Sequence, residues 1–310
     1  QVTWILSAAL LFVIIVVARL LMSRSGRQLQ ITHLELLVPA LHPDLQGRRI
    51  VFLSDLHVGR LHVPADDLAA ALECERPDLL LFGGDYAAET PNHARALELV
   101  RRLSSLQPTF GVAGNADHHQ HLDLDALQES FLASGGELLL NEAATVRLGD
   151  AELLLLGVDD PVWGRADVDA TAAQADIPAD LRIAICHSPA LFRQFPHLGA
   201  AITLVGHSHG GQIRLPGCEA HFTHGTYPRR LASGLFRYEE GAEMPRRLLD
   251  HSEVLTNGAS LRACTAGGPL LYVSRGVGMG VIPARLACPP EILVIELVAE
   301  GAEGDACDER

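Results

Sequence analysis

Five short apolar runs in this chain each break, within a few residues, into a side chain able to hold a metal ion or a phosphate. The runs are residues 50–53, 79–82, 109–113, 182–185 and 201–205. They lead to Asp55 with His57, to Asp85, to Asn115, to His187, and to His207 with His209. Runs of this length and composition read as buried strands. In the last case the two histidines lie two apart, a spacing that points both to one side of an extended chain. The glycines around them, Gly206, Gly210 and Gly211, let the backbone turn closely about whatever the imidazoles hold. Ligands of open α/β sheets bind beyond the carboxyl ends of the strands, so the seven side chains would meet on one rim.

Taken singly, each has an ordinary explanation. Asp55 and Asp85 suit helix or turn caps, Asn115 a turn, His187 a cap or a satisfied core position, and the His-x-His pair an exposed loop. Five strand ends of the same kind favour the joint reading. Helices are predicted at 64–75, 92–106 and 123–133, between the runs. Strands are predicted at 137–140, 145–148 and 152–156, separated by Asn141-Glu142 and Gly149-Asp150, with two more at 270–273 and 292–297. Residues 31–36 alternate and read as an edge strand. The fold class is α/β, with no repeat of fixed period.

The formal charge of −14 argues against a nucleic-acid partner, since a phosphate backbone needs a Lys/Arg face. Part of the acidity lies in a tail, residues 299–310, expected to be disordered. The six cysteines are dispersed without a Cys-x-x-Cys, which suits reduced thiols. Residues 4–22 are almost continuously apolar and approach the roughly 20 residues a bilayer-crossing helix needs. Arg19, Arg24 and Arg27 lie at its end and beyond it, and neither a basic leader nor a small-residue cleavage site precedes them. The expectation is a single-pass anchor in the inner membrane with the large domain cytoplasmic. A cleaved export signal is the alternative. The expected organisation is an anchor over 1–22, a juxtamembrane linker over 23–46, a catalytic domain over 47–298 and the tail.

Imidazoles and carboxylates together suit Mn, Fe, Zn or Co rather than Ca, and the lack of cysteine ligands argues against structural zinc. Two such ions need a carboxylate able to bridge them, acidify a shared water, and clamp the oxygens of an in-line displacement at phosphorus.

Asp55-x-His57, Gly84-Asp85, Gly114-Asn115, His187 and Gly206-His207-x-His209 together resemble, in order and spacing, the five-motif signature of the calcineurin-like metallophosphoesterase superfamily. The resemblance covers about residues 47–298. Residues 206–216, Tyr272-Val273-Ser274-Arg275-Gly276 and Pro290-Glu291-Ile292 look like its membrane-anchored branch, which contains bacterial phosphodiesterases and a UDP-2,3-diacylglucosamine pyrophosphatase. The resemblance implies a four-layer α/β/β/α sandwich and two divalent ions, manganese first, with Fe, Zn or Co as alternatives. It implies Asp55, His57 and His209 on one ion, Asn115, His187 and His207 on the other, and Asp85 as bridge and catalytic carboxylate beside Asn115. The implied substrate is a lipid or nucleotide-lipid phosphate at a membrane. One departure stands out. The family pattern Gly-Asn-His-Asp is here Gly114-Asn115-Ala116-Asp117, and alanine can neither stabilise the phosphoryl group nor protonate a leaving oxygen. Either His118 or His119 supplies that group from a shifted position, or the leaving group is a phosphate that needs no strong acid. Arg214 and Arg275 are expected phosphate contacts, and residues 239–268 a lid that accepts an acyl chain.

Overall fold

The computed structural model describes residues 2–105, 107–214, 220, 223, 225–249 and 261–301, except for some side chains between residues 2 and 18 of the first helix. The chain runs α1 (Val2–Arg27), β1 (Gln30–Val38), β2 (Arg49–Leu53), α2 (Ala65–Glu75), β3 (Leu79–Phe82), α3 (His93–Ser104), β4 (Thr109–Gly111), α4 (Asn115–His119) and α5 (Leu124–Leu132). It continues through β5 (Glu142–Leu148), β6 (Ala151–Val158), α6 (Val168–Ala172), β7 (Leu181–Cys186), β8 (Ile202–Val205), β9 (Gly234–Arg237), β10 (Arg246–Leu249), β11 (Leu261–Cys264), β12 (Leu270–Val273) and β13 (Glu291–Ala299).

The strands form two sheets, ordered β11-β1-β13-β2-β3-β4 and β10-β9-β12-β8-β7-β6-β5. In the first, β2, β3 and β4 run parallel; in the second, β6, β7, β8 and β12 do. Each parallel run is buried on both faces, which is why β2, β3, β7 and β8 read as unbroken apolar sequence. Their alternate residues serve different layers. Phe52 and Leu81 join Leu155, Ile183, Leu204 and Tyr272 in one core between the sheets. Val51, Leu80 and Phe82 face outward onto Leu68, Leu72, Val100 and Phe131 from α2, α3 and α5. Leu154, Leu156, Ala184 and Val205 face the other way, onto Val168, Phe192 and Phe195. The result is a sandwich of two facing sheets with helices and helical turns outside each.

Several expectations need correction. Residues 31–36 are not an edge strand: β1 lies between β11 and β13 and is parallel to both. A linker over 23–46 therefore contradicts the sheet, because Leu34, Leu36 and Val38 are core residues. Residues 137–140 form only an isolated bridge, Gly111 with Leu138, because Gly111 ends β4 and alone exchanges main-chain hydrogen bonds with Glu137 and Leu139. Strands β9, β10 and β11 lie in or beside the stretch expected as a lid. The expected span over 4–22 falls within α1, and several of its side chains lie outside the described set. Among the described residues no helix is long and apolar enough to cross a membrane. Residues 302–310 of the tail, and Val254 and Leu255 of the lid, also lie outside them.

The burial of β1 separates two domain boundaries. A chain beginning at Leu29 keeps β1 and should unfold cooperatively on heating. One beginning at Gly47 loses the parallel partner of both β11 and β13 and should show no cooperative transition by circular dichroism.

Candidate metal centre

Each ligand-bearing loop leaves its strand and doubles back on another. Asp55 donates its backbone N–H to Gly84 O and His57 donates to Asp85 O, both at 2.9 Å, so the first two loops are laced together. Gly206 N donates to His187 O at 2.8 Å, joining the last two. The turns are tight enough that Asp55, His57, Asp85, His207 and His209 all adopt left-handed backbone angles, with φ between 40° and 66°. Non-glycine residues rarely do so, and such positions cost on the order of 1–3 kcal/mol each and cluster at functional sites. The glycines make room. A Cβ on Gly114 would sit 2.2 Å from Asp85 Oδ1, and one on Gly206 would sit 2.3 Å from Asp55 Oδ2.

This backbone gathers two buried groups, Asp55 with His57 and His209, and Asp85 with His187 and His207. In the first, His57 Nε2 and His209 Nε2 face each other at 3.2 Å, and lie 3.9 Å and 3.5 Å from Asp55 Oδ1. In the second, His207 Nδ1 is 3.2 Å from His187 Nε2, which is 3.1 Å from Asn115 Oδ1. Asn115 thus joins the second group. Asp85 Oδ2 lies between the two, 3.2 Å from His57 Nε2 and 3.4 Å from His187 Nε2. Its other oxygen accepts the Ala116 N–H at 2.7 Å. Asp55 is held by the Ser54 hydroxyl at 2.6 Å and by the His207 N–H.

Burial alone would raise the Asp85 carboxyl, but the charges and hydrogen bonds of His187 and His57 outweigh it and hold it well below the usual range. Burial likewise opposes charge on His187 and His57, yet the Asp85 carboxylate lifts both above an ordinary histidine. The cluster thus draws positive charge toward Asp85. Paired nitrogens facing one spot beside a carboxylate oxygen fit a pair of divalent ions rather than a protein-only network.

All seven expected ligands therefore come together. His118 does not join them: its Nε2 bonds Asp159 Oδ1 at 2.7 Å, and no hydrogen bond or ion pair links it to a ligand among the described residues. His119 is exposed and packs in a tilted arrangement against Trp163, at 4.4 Å between ring centroids. Arg275 corrects another expectation. It is 1% exposed, paired to Glu291 at 3.0 Å and bonded to Gln30 at 3.1 Å, so its guanidinium is buried away from any incoming phosphate. Arg214 is also buried and donates to Gly210 O and Ser233 Oγ, which places it behind the His-x-His loop.

Two residues essential to this geometry had no functional reading in the sequence. Asp117 accepts the N–H groups of Asp85, Tyr86 and Gly114 at 2.8, 2.9 and 2.8 Å, tying the second and third ligand loops together. Burial and the nearby Asp85 charge push its carboxyl up to about 7, against the Gly114 and Tyr86 donors. Arg285 is fully buried, and its guanidinium donates to the carbonyls of Arg275, Gly276, Gly278 and Cys288, and more distantly to that of His209. The fixed Asn-x-Asp spacing hinted at Asp117; nothing local marks Arg285.

The sequence profile described as calcineurin-like phosphoesterase matches residues 48–211. Phosphodiesterase YaeI of Escherichia coli is 28% identical, covering 81% of this chain and 82% of its own length. The uncharacterised metallophosphoesterase YkuE of Bacillus subtilis is 26% identical over 81% and 79%. The UDP-2,3-diacylglucosamine pyrophosphatase LpxG of Chlamydia trachomatis is 24% identical over 88% and 90%.

Two measurements test these supports. Asp117→Ala strands three backbone donors, so chemical denaturation should show a loss on the order of 3 kcal/mol or more, with weaker Mn²⁺ binding by titration. The His118–Asp159 pair gives a pH signature. The hydrogen bond that His118 donates to Asp159 raises the imidazole above 6.5, so its contribution is complete below that value and fades as pH rises through the higher folded one. The Asp159 carboxyl lies below 3.8, despite the opposing effect of burial, because of His118 and two backbone donors, so its contribution fades only in strong acid. The melting-temperature deficit of His118→Gln should therefore be larger at about pH 5.5 than at about pH 8.5.

Proposed function

The chain belongs to the calcineurin-like phosphoesterase family, a hydrolase family acting on phosphoester bonds, and from that premise we propose that it cleaves the pyrophosphate of an amphipathic nucleotide lipid at a membrane surface. UDP-2,3-diacylglucosamine, an intermediate in lipid A synthesis, is the specific candidate. The observation that carries the catalytic part is the position of Asp85 Oδ2, within 3.4 Å of an imidazole from each ligand group. When bound, two divalent ions supply Lewis acidity toward a phosphoryl oxygen and make a water acidic enough to act as nucleophile near neutral pH. Asp55, His57 and His209 would hold one, Asn115, His187 and His207 the other, and Asp85 both, with manganese the proposed metal.

The side chains then divide the remaining work. Asp85 keeps Oδ2 toward both groups because Oδ1 is anchored by the Ala116 N–H. The Gly83 carbonyl, 2.7 Å from His187 Nδ1, fixes that ring so that Nε2 faces the site. At position 116, where the family pattern carries histidine, the methyl group offers no proton to a departing oxygen. A leaving group that is already a stable phosphate, such as UMP or a lipid phosphate, removes the need for one. The name of the Chlamydia relative supports this reading, and its match runs along most of both chains. The E. coli relative, more similar and named a phosphodiesterase, supports a second reading, hydrolysis of a simpler diester.

Attachment through α1, with the catalytic domain on the cytoplasmic face of the inner membrane, is part of the proposal. Exposed Trp4, Leu10, Phe12 and Leu20 support it, as do Arg24 and Arg27 in the last turn of α1.

The purified chain loaded with Mn²⁺ should bind about two ions and release UMP from UDP-2,3-diacylglucosamine faster than from UDP-sugars without acyl chains. Asp85→Ala should lower that rate at least about a thousandfold, since both ions lose a ligand. Hydrolysis of bis(p-nitrophenyl) phosphate without UMP release would assign the chain to the second reading.

A further inference from the structure

Among the described residues, Val281 is the most exposed large apolar side chain outside α1, at 73%, and its neighbour Ile282 is 50% exposed. Two adjacent apolar side chains this exposed offer a contact surface, and what lies around them says for what. This tip is rigidly built. Gln212 Nε2 donates to Ile282 O at 2.5 Å and to Ala284 O at 3.0 Å, while its Oε1 accepts the Gly280 N–H at 2.7 Å. Arg60 donates to Gly280 O at 3.1 Å from the opposite side. Gln212 directly follows the His-x-His loop, so the clamp ties the tip to a ligand loop. Gly280 lies so near the metal centre that a Cβ there would be 3.2 Å from His209 Nε2.

The other flank of the tip meets the end of α1. A Cβ on Gly26 would sit 3.3 Å from His62 Nδ1 and 3.8 Å from Met279 Sδ. The apolar helix therefore leaves the domain beside the tip, with exposed Arg24 and Arg27 at the exit. Apolar helix, basic collar, apolar tip and His209 follow one another along a single edge. Basic residues at the headgroup level and apolar side chains just beyond it are what an anionic bilayer accepts.

We propose that Val281 and Ile282 insert into the boundary between headgroups and acyl chains of an anionic bilayer. They form a second point of attachment beside α1 and turn the His209 side of the metal centre toward the lipid. The inference rests on the membrane attachment read above, and goes beyond it by fixing which edge of the domain faces the bilayer. A substrate phosphate at headgroup depth would then reach the site without leaving the membrane.

The chain has two tryptophans, Trp4 and Trp163. In a Trp4→Phe/Trp163→Phe background, Val281→Trp makes the tip the only indole. The full-length variant would be reconstituted into vesicles of phosphatidylglycerol and phosphatidylcholine, with retained hydrolysis of bis(p-nitrophenyl) phosphate as the check on folding. The emission of that single indole should shift to the blue and fall by about half or more when the lipids are brominated near the headgroup end of their chains. Water-like emission without quenching, in protein that floats with the vesicles, overturns the inference and leaves the attachment standing. Protein that does not float overturns both. Shielding from acrylamide without quenching by brominated lipid indicates a protein occupant and also overturns it.

Discussion

The Asp85 carboxylate sits between two sets of imidazoles in a space nearly closed to water, and most of the surrounding structure serves to make that tolerable. A buried carboxylate without positive charge beside it would shed its proton only at great cost. Here His57 and His187 draw near from different strands, and the Ala116 N–H takes the oxygen they do not face. Each of these partners arrives on its own loop, so the charge at the centre dictates that at least three strand ends converge. The same requirement explains Asp117. Its three hydrogen bonds to Asp85, Tyr86 and Gly114 keep two of those loops from drifting apart, at the expense of a second buried acid beside the first.

The convergence of the seven candidate side chains was legible in the sequence because the strand ends of a parallel sheet announce themselves. Apolar residues must fill both faces of β2, β3, β7 and β8, so a polar residue within the first few after each run marks the rim. His118 and Arg275 misled for a common reason. Sequence gives proximity along the chain, not the direction of a side chain, and a strong partner elsewhere redirected each of them. Asp159 captured His118, and Glu291 captured Arg275. Arg285 was invisible because its partners are main-chain carbonyls, which leave no trace in residue identity. β1 was seen as a strand but placed at an edge, since its alternation hides the fact that β11, far along the chain, covers its open side.

Backbone strain links the fold to the site. Five of the candidate ligands hold left-handed angles that β-sheet geometry would not choose. They keep them because the loops exchange main-chain hydrogen bonds and because Gly114 and Gly206 let neighbouring carboxylates approach where any side chain would collide. The two-sheet core supplies the stiffness that this needs. With Phe52, Leu81, Ile183 and Leu204 packed in one layer, the two sheets cannot slide, and strand ends from both remain at one height.

The arrangement also constrains recognition. Arg275 is buried against Glu291, and Arg214 donates to Gly210 and Ser233 behind the ligand loop, so these two arginines stiffen the His-x-His turn. Phosphate charge would then be met chiefly by the candidate metal centre, which would read a phosphoryl group and little of what is attached to it. Discrimination between one phosphoester and another must come from surfaces farther out. The exposed apolar side chains available for this are Trp163, tilted against His119, and Val281 with Ile282, next to Gly280. On the proposed reading, a charge-reading centre with an apolar margin would suit molecules that join a phosphate to an apolar body. That preference would follow from where the arginines are placed, and it would hold for a nucleotide lipid and for a simpler lipid diester alike.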